Sequence, residues 1–573
     1  MKLLPTVTDL LPSWRFWYAN LRQNIYTYAG ADRGGIDESH EGWAGGRLTA
    51  YNLSKFLAFR ASPGLLDAPV KEMDELARLM ADFLVRRISS RWGIDLNGFY
   101  SPNEVGFTMP GLARAYMGIT ALPQNPLADV ADQIKTYLLT GAEAVLVGEA
   151  YTANHRWAAA AGALAAVHAI WPDERYKEKF DSYLADGFDI DDDGCWDQER
   201  SSNYNIVANA GIIHLADALN RPDWLKLVQR NLDFVIHFLQ PNGEMDTSFS
   251  HRQDRGVANR AACSLTQALR IARMTGDGRY STLALHAWSK GDRGLDDLAP
   301  AFSMWEGKPK WPEPVPLSAN YERQFHSSQL ARRRSRKLAI TLSADSGNHF
   351  FDTVAQGWGG PRRSDDWLHL HWGGIVVQSL HLAGAGMCNM QPHGLDQISP
   401  GRYRLHGEIP GWTHTLHFRP GSPQVKMPWH WKYEAEIGIG EDEVAVRLRS
   451  SSPISLIASL IFWIRPGVEV FEAGEPLGKL KAGDRLALKG GNDVRLALGE
   501  EYLDIRGLPA AGHRRFVMHA PSIPSGMATE CGAVYLGVRF PVDLDFGIFG
   551  GGKHRMASVP IAPYVYQEVM AKG

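Results

Sequence analysis

The sequence predicts a two-part α+β protein, a run of stacked helical hairpins followed by a mostly antiparallel β domain. Three observations predict it. Up to about residue 300, apolar residues recur at three- and four-residue spacing in one segment after another, with almost no strand pattern between them. A Pro-rich stretch follows, Trp305 to Pro316, which suits neither a helix nor a central strand. Beyond it the chain turns to alternating and β-branched runs separated by turn signals.

The opening 60 residues are rich in aromatics and Gly. Trp14, Trp17, Tyr18, Tyr26 and Tyr28 precede Gly34-Gly35 and then Glu41-Gly42-Trp43, which reads as a helix and a loop. From Val70 to Ser90 the helical pattern is strong, with Met73, Leu76, Leu79, Met80, Phe83 and Leu84 on one stripe. A loop carries Tyr100, Asn103 and Glu104. Further helices are expected near 109–121, 127–147, 155–170, 173–186, 204–219, 222–239, 258–275 and 278–290. Such hairpins stack either as an open solenoid or as a closed α/α toroid. No fixed sequence period is present, which counts against a simple solenoid. In the second part, Lys337–Leu342, Gly374–Leu380, Glu443–Leu448, Ile457–Ile464 and Ala533–Val538 read as strands, packed sheet on sheet. The expected boundaries are a helical domain over 1–304, a linker over 305–320 and a β domain over 321–573, with a site between the two domains.

Composition narrows the function. At 45% apolar and 21% charged residues the chain is an ordinary globular protein. A formal net charge of −3 argues against a general nucleic-acid or membrane-surface binder. An anionic ligand would therefore need a local basic site. The 18 Trp residues favour a carbohydrate ligand a little, since indole faces stack on sugars. The four cysteines are scattered, so neither a disulfide framework nor a zinc cluster is expected. No 18-residue apolar run and no secretory leader pattern is seen, so no membrane span is expected. The expected location is cytoplasmic, or periplasmic for a trimmed chain. A homodimer is left open.

The stretch from Tyr151 to Asn209 is unusually polar for two helix starts. Asn154-His155-Arg156-Trp157 runs into an Ala-rich helix, and Glu199-Arg200-Ser-Ser-Asn203-Tyr204-Asn205 opens another. Tyr204 follows His155 by 49 residues. A helix N-terminus carries unpaired N–H groups and about half a positive charge, so two such ends facing each other suit an acidic ligand. Taken singly, Asn154 is an excellent N-cap and Tyr204 a packing residue. In the β domain, Arg363 precedes His369-Leu370-His371, whose alternation puts both rings on one strand face. Those rings fit a catalytic or substrate-binding role, or an edge strand with its polar residues outward. A structural divalent metal is a third reading, with Asp365, Asp366 and His393 near in sequence, but a third ligand with suitable spacing is not evident. No other cofactor is expected. The acidic run Asp189 to Gly194 resembles half a calcium loop but reads better as a solvated turn. The basic run Arg332 to Lys337 reads as a solvated edge.

These stretches together resemble the heparinase II/III-like superfamily of polysaccharide lyases. The likeness rests on Asn154-His155-Arg156-Trp157 before an Ala-rich helix, Asn203-Tyr204-Asn205, the His369/His371 strand 214 residues beyond His155, and the helical-then-β order. The resemblance implies an N-terminal α/α toroid followed by a C-terminal antiparallel β-sandwich. It implies β-elimination on a 4-linked uronate glycan, with an acidic oligo- or polysaccharide as partner. His155, Tyr204, His369 and His371 are then the catalytic candidates. Asn154, Glu199, Arg200, Asn203, Arg363, Trp43 and Tyr100 are the substrate-binding ones. The chain departs from the resemblance at His369-Leu370-His371-Trp372-Gly373, where a His-Gly-His-Ala-Asp-like loop is common. An exo-acting glucuronidase-like hydrolase with Glu199, Asp197, Glu104 or Glu41 as its carboxylates, a uronate epimerase and a glycan-binding protein are the competing readings.

Overall fold

The computed structural model describes residues 4–37, 44–62, 65–66, 68–96, 99–150, 154–196, 200–240, 242–251, 254–257, 261–292, 310–335, 338–344, 367–384, 392–410, 413–414, 425–426, 430–452, 455–517 and 530–552. Its helices are α1 (Val7–Asn24), α2 (Gly46–Ala61), α3 (Val70–Arg87), α4 (Pro102–Thr120), α5 (Ala128–Val147), α6 (Gly162–His168), α7 (Glu174–Ala185), α8 (Ser202–Ala218), α9 (Leu225–Ile236), α10 (Leu265–Thr275) and α11 (Gly278–Ser289). Local chemistry explains their ends. Thr6 and Asp9 form a capping box on α1. Asp173, Ser201, Ser264 and Asp277 cap α7, α8, α10 and α11 through their side chains. Gly276, at φ 71°, takes the left-handed turn that closes α10.

Each helix turns an apolar stripe inward. Leu10, Trp14, Tyr18 and Leu21 are the buried face of α1, and Met73, Leu76, Met80, Phe83 and Leu84 that of α3, where Leu79, which the spacing puts on the same stripe, is only half-buried. The helices pack in chain order, α2 against α3 and α4, α4 against α5 and α6, α6 against α7 and α8, then α8 against α9 and α10 against α11. One segment departs from the expected α-helix. Asn154–Ala161 is π-helical and passes into α6 only at Gly162. The side-chain pattern of a π turn is indistinguishable by eye from that of an α turn, so the sequence carries no signal for it.

The second domain is a sandwich of two sheets. The first has eight strands, ordered in space as Arg485–Ala487, Gly532–Phe540, Leu456–Ile464, Ile375–Gly384, Leu368–Trp372, Leu338–Ser343, Leu330–Arg334 and Tyr321–Phe325. Its pairings are antiparallel except for Arg485–Ala487 against Ala533–Tyr535. The second has nine, centred on His430–Ile439, Glu443–Ser451 and Asp543–Gly552, all antiparallel. Alternate residues of both sheets meet in one core, Ile340, Leu342 and Leu370 from the first against Tyr403, Leu405, Ile437 and Val446 from the second.

The domains share apolar contacts as well. Phe325 and Leu330, in the first β hairpin, belong to the core of the helical domain. The Phe325 ring lies 5.2 Å from that of Phe234 and 5.4 Å from that of Phe238. Within the Pro-rich stretch, residues 310–316 are described and lie along α11, with the carbonyls of Pro312 and Val315 accepting from the Ser281 and Thr282 hydroxyls.

Candidate active site

The π-helical segment that begins with Asn154 and His155 is pressed between α4 and α8. A Cβ on Gly106 of α4 would lie 1.7 Å from the Ala159 carbonyl oxygen, and one on Gly211 of α8 would lie 2.5 Å from the Ala158 nitrogen. Only glycine permits backbones this close. The registers also fix direction. Gly211 meets Trp157 and Ala158, while Gly162 meets Gly211 and His214, so the two helical segments run side by side in the same sense. Followed back toward its start, the π segment runs from these contacts to His155 and Asn154, in the same sense in which α8 runs back to Tyr204. Both segments thus start toward the same end of the pair. The His155 ring stands 5.6 Å from that of Phe107 on α4, and Arg47 pairs with Glu104 one turn earlier at 3.0 Å. Arg156 and Trp157 are committed elsewhere, both donating to Asp189 at 3.0 and 3.1 Å.

The start of α8 is held by its own chain. Ser201 Oγ accepts from the Asn203 and Tyr204 nitrogens. Asp254, wholly buried, accepts from Ser201 Oγ at 2.9 Å, from Ser202 N and Oγ at 2.9 and 2.6 Å, and from Ser250 Oγ at 2.5 Å. This corrects one expectation. The positive end of α8 is already matched by a protein carboxylate, so it is not left for a ligand. What Asp254 does is fix the turn that carries Tyr204. Arg200 is likewise not a surface cation, for it is buried and donates Nη1 to the Ser328 carbonyl of the β domain at 2.9 Å.

The chain segment from Asp246 to Gly256 links this region to the β-domain histidines. At its far end, the Asp246 carboxylate takes hydrogen bonds from Arg332 and from Thr341, the latter at 2.6 Å. Burial opposes ionisation of Asp246, but His369, Arg332, Ser248 and Thr341 outweigh it and hold the carboxyl far below the usual range. Gln240 Oε1 accepts from Arg332 Nη2 at 2.7 Å, and its Nε2 lies 3.4 Å from His369 Nε2. His369 Nδ1 lies 3.1 Å both from the Gln378 carbonyl, which can only accept, and from the Gln378 side-chain Nε2, which can only donate.

His369 and His371 do share one face, their rings stacked at 4.9 Å. The strand is not an edge, however, since Leu338–Ser343 and Ile375–Gly384 flank it and the helical domain covers the histidine face. Both rings are buried, and burial pushes both imidazoles below their ordinary range, His371 well below. Neither His371 nitrogen has a partner among the described residues.

Two other readings are corrected by the same interface. Arg332 and Arg334 are buried rather than solvated, because the strand face they occupy meets the helical domain, where Arg334 Nη1 donates to the Leu239 carbonyl at 2.9 Å. The acidic run is not merely a solvated turn either. Asp191 Oδ2 accepts from Ser328 Oγ at 2.6 Å and Asp193 Oδ2 from Ser328 N at 2.8 Å. Burial raises the Asp191 carboxyl despite those bonds. Among the described residues no group of three or more His, Cys, Asp or Glu could hold a metal. Trp43, Glu199 and Arg363 lie outside the described residues, as do Glu41, Asp197, Asp365 and Asp366, and of Tyr100 only the backbone is described, in the short strand Phe99–Ser101. Asp246, Gln240 and Asp254 were not anticipated. Their partners lie from 2 to 129 residues away, and no local pattern announces them.

Comparison of the whole structure with solved structures finds a consistent set of neighbours. Heparinase III matches over 96% of this chain and 89% of its own, at 10% identity and a TM-score of 0.51. The chondroitin AC lyase of Streptomyces coelicolor A3, in complex with chondroitin sulphate, matches over 95% and 79% at 11% identity and a TM-score of 0.57. The chain has the polysaccharide-lyase fold. At these identities the likeness concerns architecture, a helical domain followed by a β-sandwich. No family model matches the sequence, and no curated protein does.

Proposed function

We propose that the protein is a polysaccharide lyase that cleaves a 4-linked uronate glycan by β-elimination. The observation that supports the reading is the parallel packing of the π segment, which starts with Asn154 and His155, against α8, which carries Tyr204 in its first turn, on a fold whose solved neighbours are lyases. One neighbour named above, a chondroitin AC lyase, is in complex with chondroitin sulphate, which supports an acidic polysaccharide here.

In the proposed reaction a base removes the C5 proton, the electron pair forms the C4–C5 double bond, and the C4–O bond breaks as its oxygen gains a proton. The C5 proton is weakly acidic while the neighbouring carboxylate keeps its charge. Asn154 and His155, at the start of the π segment, donate hydrogen bonds to that carboxylate and stabilise the enolate-like intermediate. Tyr204 takes the proton as phenolate and returns one to the leaving oxygen as phenol. The burial of His369 and His371 favours this single-residue route over one in which a β-domain imidazole is the base. These two then belong to the wall that carries the site. Hydrolysis has less behind it, since Glu104, its one described candidate carboxylate, is held by Arg47.

The test is an ultraviolet scan of the protein with hyaluronan, chondroitin, heparan sulfate and polymannuronate. Rising absorbance from the conjugated double bond supports elimination, and new reducing ends without it sink the proposal. Tyr204→Phe is expected to lose about 10²–10⁴-fold in kcat with KM nearly unchanged. Near-normal turnover would remove Tyr204 from its role.

A further inference from the structure

Trp92 is 56% exposed, while the other described Trp side chains are buried or half-buried. It stands on a built turn rather than a loose loop. Ser89 and Gly93 exchange both of their backbone hydrogen bonds at 2.9 Å, and Ser89 Oγ accepts from the Arg91 and Trp92 nitrogens at 3.3 and 3.2 Å. The Arg91 guanidinium lies over the indole, 4.6 Å from its centroid. Arg91 is exposed and makes no ion pair among the described residues.

The turn borders the start of α4, and so does the chain that leads to His155. A Cβ on Gly93 would lie 2.4 Å from the Ser101 carbonyl oxygen and 2.8 Å from Pro102 Cα. A Cβ on Gly148, just ahead of Asn154, would lie 2.7 Å from Pro102 Cβ, and Asn103 Nδ2 donates to the Glu149 carbonyl at 3.4 Å. One turn along α4, the Phe107 ring meets that of His155. A second exposed aromatic side chain, Tyr28 at 57%, is carried by the loop that Arg86 and Arg87 hold on the end of α3, directly before the Trp92 turn.

We propose that Trp92 and Arg91 form an outer station that holds an acidic glycan chain running on from the site. This rests on the lyase reading above and adds that the substrate is a chain of several units rather than a single uronate. A lone exposed apolar side chain needs no explanation. Here an indole and an unpaired cation are presented together, on a turn whose backbone is already bonded. Arg91 takes one face of the indole, and the apolar C–H face of a pyranose ring suits the other. A guanidinium stacked through its plane keeps its N–H edge for a carboxylate or sulfate ester, in the bidentate geometry such groups accept. A neutral glycan would use the indole and leave the charge unmatched, so complementarity selects an acidic chain.

The test measures binding first, without turnover. Trp92→Ala and Arg91→Gln are made in a Tyr204→Phe background, and both remove exposed side chains, so the core is untouched. Each protein is run in native gels containing heparan sulfate, chondroitin sulfate, hyaluronan, polymannuronate or neutral dextran. The background protein is expected to be retarded by at least one acidic polymer and not by dextran, with the apparent Kd rising about tenfold in either variant. Retardation unchanged in both variants, retardation by dextran as strong as by the acidic polymers, or none at all overturns the station. This result stands even if the wild type eliminates nothing and the lyase reading fails alone. Where the wild type does eliminate a polymer, Trp92→Ala is expected to raise KM about tenfold on that polymer, and less on the shortest oligomer cleaved. A rise of equal size on both overturns the outer position.

Discussion

Tyr204 and the two buried histidines of the β domain looked alike in the sequence, as titratable rings in polar surroundings, yet the fold treats them differently. Tyr204 sits partly exposed on a helix start pinned by Asp254, while His369 and His371 are sealed in an interface. That burial has a measurable effect on pH dependence. Burial lowers the imidazoles of His214, His369 and His371, and with Arg323 it brings His237 to about 4. The unfolded chain protonates these rings near pH ~6.5 while the folded one does not, so it binds more protons, and stability rises with pH across this window. Each such ring costs about 1.4 kcal/mol per pH unit below ~6.5 until it protonates in the native state. Asp191, with its raised carboxyl, acts in the opposite sense, as one group against four. The melting temperature is expected to fall steadily from pH 7 toward pH 5, and His371→Leu to flatten that fall by about one proton. A flat wild-type profile would mean that the rings are charged in the fold.

At the scale of elements, the site depends on how closely three helical segments approach. Gly106 and Gly211 are the two points where α4 and α8 touch the π segment through backbone alone. Gly211→Ala must push the segment away, with an expected loss of about 1–3 kcal/mol in denaturant unfolding. Because Asn154 and His155 move with it, kcat should fall more than stability alone explains, and a variant with lowered stability but wild-type kcat would show that the register is not needed. The stripe of α3 was legible because one face of it meets one core. The π segment was not, because Asn154-His155-Arg156-Trp157 reads equally well on either helix type. The Arg332 run failed for a related reason. Alternation shows which residues share a strand face, but not whether that face meets water or another domain.

For the whole molecule, the order of the two domains and the sandwich were legible from patterning, while the polar interface between them was not. Arg332 and Asp246, both wholly buried, meet across 86 residues of chain, and Arg465 meets Glu244 across 221. Long-range pairs of this kind leave no trace in local sequence. A buried pair is a weak source of net stability, but breaking it strands a charge. Asp246→Ala is expected to cost about 3–5 kcal/mol, and Asp246→Leu combined with Arg332→Met to recover most of that. Urea unfolding followed by Trp fluorescence and by circular dichroism checks this. A single-variant cost under ~1 kcal/mol would show that water reaches the pair.

The shared aromatic cluster has a consequence for the chain while it is being made. Phe234, Phe238 and Phe249 are completed by Phe325, which a ribosome reaches 76 residues after Phe249. Until then the nascent helical domain shows a greasy face with nothing to cover it, the kind of surface that chaperones hold and that aggregates when they do not. Synthesis of the first β hairpin is thus the moment at which the helical half becomes safe to release.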